Sequence, residues 1–125
     1  MPPRNMPPNK HAAGMEGQQQ AEDFLCKKGL RIRARNYRAK TGEIDLIAND
    51  GETIIFIEVK ARTSLKYGHP REAVTPAKQQ RIMRTAQHYI ALHRLHNNAL
   101  RFDVVEIIVA QGEIHIEHIE NAFWG

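Results

Sequence analysis

Two carboxylates, Asp45 and Glu58, sit in apolar stretches of the chain, and Lys60 follows the second by two residues. Like charges on neighbouring strands repel, and burial among isoleucines and valines raises the cost of ionising both. A divalent cation between them would resolve the conflict. Mg2+ or Mn2+ bound by Asp45, Glu58 and the carbonyl oxygen of Val59, with several waters, is the shell of few carboxylates and many waters that magnesium prefers. Such an ion polarises a phosphoryl oxygen and lowers the pKa of a bound water, which is what phosphodiester hydrolysis needs. Lys60 could orient that water or stabilise charge on the phosphoryl oxygens, and Arg62 could hold a neighbouring phosphate. The competing reading is a wet sheet face on which Glu58 and Lys60 pair with cross-strand partners.

The elements that must position these groups are two strands joined by a tight turn. Gly42 to Ala48 and Thr53 to Arg62 are rich in β-branched residues, and Asn49-Asp50-Gly51 supplies turn chemistry between them. Strict alternation puts Glu43, Asp45 and Ile47 on one face of the first strand, and Ile54, Phe56, Glu58, Lys60 and Arg62 on one face of the second. A two-residue turn at Asp50-Gly51 sets Asp45 opposite Phe56, and a slightly longer loop sets it opposite Glu58. Either register brings the carboxylates within about 5–8 Å.

The flanking chain reads as an α/β domain of order αβββαββ, a mixed central sheet flanked by helices. The proline-rich residues 1–14 are expected to be a disordered tail and residues 15–125 a single domain. Helix one spans Met15 to Lys28, with Gly29 as its stop, and Leu30 to Arg35 alternates as a strand with its arginines on one face. Thr63 to Val74 is a loop containing Gly68-His69-Pro70. Thr75-Pro76 opens helix two, which runs to about His96. Leu100 to Val109 is a strand buried on both faces, Glu113 to Ile119 an edge strand, and Phe123 and Trp124 pack back as a lid.

The 125 residues are 42% hydrophobic and 26% charged, with a formal net charge of +4. One globular core fits that composition. Lone Cys26 and the lack of a long apolar stretch or secretory signal point to a cytoplasmic protein with no membrane partner. The positive charge is concentrated. Arg31, Arg33, Arg35, Arg38 and Lys40 fall in a stretch without acids, and Lys78 and Arg81 crowd the start of helix two. This is either a phosphate-contacting surface or a cationic edge that keeps the sheet from pairing with others.

Gly42-Glu43-Ile44-Asp45-Leu46-Ile47, Phe56-Ile57-Glu58-Val59-Lys60 and Arg62 resemble the YraN-like (UPF0102) family of bacterial proteins. That family lies within the restriction-endonuclease-like PD-(D/E)XK nuclease superfamily, near the archaeal Holliday-junction resolvases. The resemblance runs from about Gly17 to Phe123. It implies a restriction-endonuclease-like core, Asp45 and Glu58 as metal-binding acids and Lys60 as the catalytic lysine. Relatives usually carry a glutamate in helix one where this chain has Gln18. Gln18 can still accept a hydrogen bond from a water, Glu22 one turn on is a substitute or a solvated helix charge, and Glu43 is a further supporting acid.

Other groups carry less. His93 and His96, and His115 and His118, are spaced three apart without an accompanying cysteine, so zinc is disfavoured. Cys26 reads as packing, Tyr37 as packed or exposed rather than stacked on a base, and Asp103 as structural. The function expected is a metal-dependent endonuclease acting on DNA, branched or otherwise structured DNA included. A homodimer cutting two strands is compatible with it. The alternatives are a non-catalytic nucleic-acid-binding module on the same scaffold and a protein-interaction adaptor.

Overall fold

The computed structural model describes residues 10–62 and 74–123. The elements are α1 (Lys10–Lys27), β1 (Arg31–Ala39), β2 (Gly42–Asp50), β3 (Thr53–Arg62), α2 (Pro76–His93), β4 (Leu100–Ala110) and β5 (Glu113–Ile119). This is the expected order αβββαββ. The strands lie in sequence order across one sheet, antiparallel except for β3 and β4. That parallel pair is joined through α2, and the mixed five-stranded sheet with its two helices is compatible with a restriction-endonuclease-like core. Most of the Gly68-His69-Pro70 loop, residues 1–9 of the expected tail and Trp124 lie outside the described residues.

α1 begins at Lys10, ahead of the expected Met15, so the last residues assigned to the tail belong to it. It ends as expected at Gly29 (φ 97°), where the N–H of Leu30 closes back on the carbonyl of Leu25 at 3.1 Å. Ala21 and Leu25 are fully buried against one sheet face, with Leu46, Ile55, Ile57, Val105 and Ile107. α2 covers the opposite face through Ile82, Ala86, Tyr89 and Ile90, over Ile44, Ile47, Phe56, Phe102 and Val104. Thr75 caps it, accepting from the N–H of Lys78 at 3.2 Å, and Pro76 follows. It stops at His93, short of the expected His96, because Arg94 turns left-handed (φ 56°). Phe123 stacks on Phe102 as expected, with ring centroids 5.3 Å apart.

The first two strands do not alternate strictly. β1 shifts register between Ile32 and Ala34, leaving Arg33 as the extra residue of a bulge, and Asn36 is left-handed (φ 50°). Ile44 packs in the same cluster as Ile47, beneath α2, although strict alternation assigned them to opposite faces. The expected single arginine face is divided by the same irregularities. Arg33 donates to the hydroxyl of Tyr89 on α2 at 3.0 Å, whereas Arg35 pairs with Glu22 on α1.

Candidate active site

The turn between β2 and β3 settles the register of these two strands. Asp50 pairs with Thr53 and Leu46 with Ile57, so the two turn residues are Gly51 and Glu52 rather than Asp50 and Gly51. The ladder ends at Leu46 and Ile57, and just beyond it the carboxyls of Asp45 and Glu58 lie close enough to interact. The two acids line a cleft of about 220 Å³ with Gly42, Glu43, Lys78, Arg81 and Ile82.

Asp45 is poorly disposed to carry charge here. Burial first, then the neighbouring charge of Glu58, pushes its carboxyl up to about 7, against the hydrogen bond donated by the Val59 N–H to Oδ2 at 2.8 Å. Val59 therefore serves the site through its amide, a contact the sequence did not suggest. Lys78, expected to grip phosphate, instead places Nζ 2.9 Å from Oε1 of Glu58. Burial works against the charged form of Lys78, but Glu58 overcomes it and raises the pKa. Lys60 lies beside them, lowered by burial and then by the ammonium of Lys78. Two acids and two lysines thus converge, Lys60 from β3 and Lys78 from α2.

The supporting residues fall into place around this cleft. Gln18 donates to Asn36 at 2.8 Å, and Asn36 donates to Glu43 on the cleft wall at 3.1 Å, so Gln18 reaches the site through two hydrogen bonds. Glu22 is buried and held by two nitrogens of Arg35, so its carboxylate is already paired. Arg62 pairs with buried Glu106 on β4, and Arg38 reaches Glu43 at 3.3 Å. Arg31 and Lys40 are exposed, and Arg81 lies on the cleft wall.

Among the described residues no three His, Cys, Asp or Glu side chains gather as a metal-binding group. Three carboxylates, Glu43, Asp45 and Glu58, line the cleft, and all are hard oxygen donors. That set suits a cation that keeps most of its waters, as magnesium does, and does not suit zinc. Asp45's reluctance to ionise beside Glu58 marks a place where added positive charge is favourable. One member of each histidine pair has another partner: His118 lies 2.7 Å from buried Asp103, and the His93 ring lies tilted 4.2 Å from that of Tyr89. The structural role expected of Asp103 is visible, since it also accepts both Arg101 nitrogens at 2.9 Å.

A family model described as "Uncharacterised protein family UPF0102" matches residues 17–107. A UPF0102 protein of Caldicellulosiruptor saccharolyticus is 44% identical over 92% of this chain and 99% of its own length. Another, from Alkaliphilus metalliredigens, is 50% identical over 88% of this chain and 96% of its own. A third, from Beutenbergia cavernae, is 43% identical over 90% and 96%. Among the described residues no helix is long and apolar enough to cross a membrane.

Proposed function

The chain belongs to the UPF0102 family, and from the chemistry of its cleft we propose that it is an endonuclease hydrolysing DNA phosphodiesters, branched DNA included, with Mg2+ or Mn2+. The observation that carries this is the meeting of Asp45 and Glu58 in one cleft with Lys60 and Lys78 beside them. Asp45 and Glu58 would hold the ion, which when bound supplies a polarised phosphoryl oxygen and a more acidic water.

The chain's own residues supply the rest. The Val59 N–H fixes one oxygen of Asp45 and so orients the carboxylate. Lys78 holds Glu58 in place, and Lys60 stands ready to stabilise charge that develops as water oxygen bonds to phosphorus and the P–O ester bond breaks. Arg81, on the cleft wall, offers a fixed positive charge to the phosphate being cut.

One observation favours a second reading, a DNA-binding module without catalysis: the ammonium of Lys78 already neutralises Glu58. The test is cleavage of linear and four-way-branched DNA with Mg2+ or Mn2+, beside a Glu58→Ala control. Metal-dependent cutting lost in the control supports the nuclease. Salt-sensitive binding without cutting favours the module, and neither cutting nor binding leaves the adaptor.

A further inference from the structure

α2 contains no acid anywhere along its 18 residues, while Lys78, Arg81 and Arg84 recur along its first half. Lys78 faces Glu58, but Arg81 and Arg84 are exposed. Arg81 lines the catalytic cleft and also a second, open groove of about 350 Å³, shared with Pro76, Ala77, Gln80 and Arg84. The two hollows therefore meet at one arginine.

The tip of the β1–β2 hairpin lies along the same helix. Thr85 donates to the Arg81 carbonyl at 2.8 Å, so its oxygen accepts the proton of Thr41 across a 2.8 Å contact. One turn further, the Tyr37 hydroxyl lies 2.6 Å from Nδ1 of His88. These contacts lay the hairpin turn beside the stretch of α2 that carries Arg81 and Arg84, and Lys40, next to Thr41 in that turn, is exposed. The β1 arginines lie elsewhere or are engaged, Arg33 on Tyr89 and Arg35 on Glu22.

We propose that the nucleic-acid strand entering the Asp45–Glu58 cleft continues along this flank of α2, its phosphates held by Arg81, Arg84 and Lys40. The proposal rests on the nuclease reading, and it moves the grip from the β1 arginines to the seam between hairpin tip and helix. Arg81 and Arg84 are about 4.5 Å apart along the helix axis. Two long arginine side chains one helical turn apart can each reach a backbone phosphate of the same strand. The contacts are to backbone phosphate, and they predict affinity without sequence preference.

The test is binding of labelled DNA by fluorescence anisotropy in EDTA, across a salt series, so that the readout does not depend on cleavage. The variants are Arg84→Ala, Lys40→Ala, their double, a charge-keeping Arg84→Lys, and Arg31→Ala as a control that removes one exposed β1 charge. The double variant is expected to bind at least about tenfold more weakly with a salt slope shallower by about 2, Arg84→Lys to keep the slope, and Arg31→Ala to match wild type. If wild type binds DNA and the double variant keeps its slope, or Arg31→Ala loses as much as Arg84→Ala, the path along α2 is overturned and the nuclease reading stands. If wild type binds no DNA, both fail.

Discussion

Nζ of Lys78 lies 2.9 Å from Oε1 of Glu58, so a lysine carried by α2 neutralises an acid carried by β3. The pair ties the first of the two parallel strands to the helix that crosses over to the second. Lys78→Met removes the counter-charge from a nearly buried carboxylate. Because the lysine side chain keeps a third of its exposure, solvent trims the loss to about 1–2 kcal/mol. Mg2+ is expected to raise the thermal midpoint of this variant by more than that of wild type. Equal shifts in the two would remove the link between Lys78 and the cation site.

Asp45 gives the fold a pH dependence of definite sign. Its carboxyl is raised from 3.8 to about 7 by burial and by Glu58, so the folded chain keeps a proton that the unfolded chain has released. Between these values stability falls as pH rises, by at most about 1.4 kcal/mol per unit, and it levels off above about 7. Asp45→Asn flattens this slope. Because a bound divalent ion displaces the proton, stabilisation by Mg2+ should grow up to about pH 7 and then plateau, as thermal melts with and without the ion would reveal.

Asp103 acts in the opposite sense. Burial alone would push its carboxyl up, but the bonds from His118 and Arg101 overcome this and hold it below the ordinary carboxylate range. Lys28 has only protons to offer Nδ1 of His118, at 2.7 Å, so Nε2–H is the donor to Asp103. The stability this provides is present above the usual carboxylate pKa and is lost as pH falls through the lowered one. Asp103→Ala leaves Arg101 largely buried without its partner and is expected to cost about 3–5 kcal/mol in chemical denaturation. A loss under about 1 kcal/mol would mean that Glu120 and water replace the aspartate.

Gly42 approaches α2 so closely that a side chain there requires its neighbours to give by a few tenths of an ångström. Its φ is 151°, and a Cβ there would lie 3.3 Å from Oγ1 of Thr85 and 3.6 Å from Cβ of Arg81. Gly42→Ala is expected to cost about 1–2 kcal/mol and to weaken DNA binding by displacing the hairpin tip. A variant with wild-type melting would show that the helix yields.

The order of elements and the nearness of the two acids are legible in the sequence because they rest on local signals: β-branched runs around Asn49-Asp50-Gly51, and Thr75-Pro76 at a helix start; the register between the acids is left open. The bulge at Arg33 and the left-handed Asn36 are not legible there. Arg31-Ile32-Arg33-Ala34-Arg35 alternates perfectly as text, and only the fit of β1 to β2 discloses the extra residue that sends Arg33 to one helix and Arg35 to the other. The pairing of Lys78 with Glu58 is hidden in the sequence for a related reason. The position of the lysine in the helix follows from the cap, but its direction depends on how the crossover lays α2 on the sheet, which is a long-range outcome. Glu22 looked like a solvated charge or a spare ligand until its partner Arg35 was brought beside it.

The hairpin tip bears on α2 at Arg81, Thr85 and His88, positions four and three residues apart on one side of the helix. Two elements fastened at successive turns have no hinge between them, so the mouth of the cleft behaves as a stiff jaw. On the nuclease proposal, the DNA must then supply the bending. DNA that is already interrupted, frayed or branched meets such a jaw at lower elastic cost than a continuous duplex. Relative cutting rates on four-way-branched and linear DNA should favour the branched form, and equal rates would mean that the jaw opens.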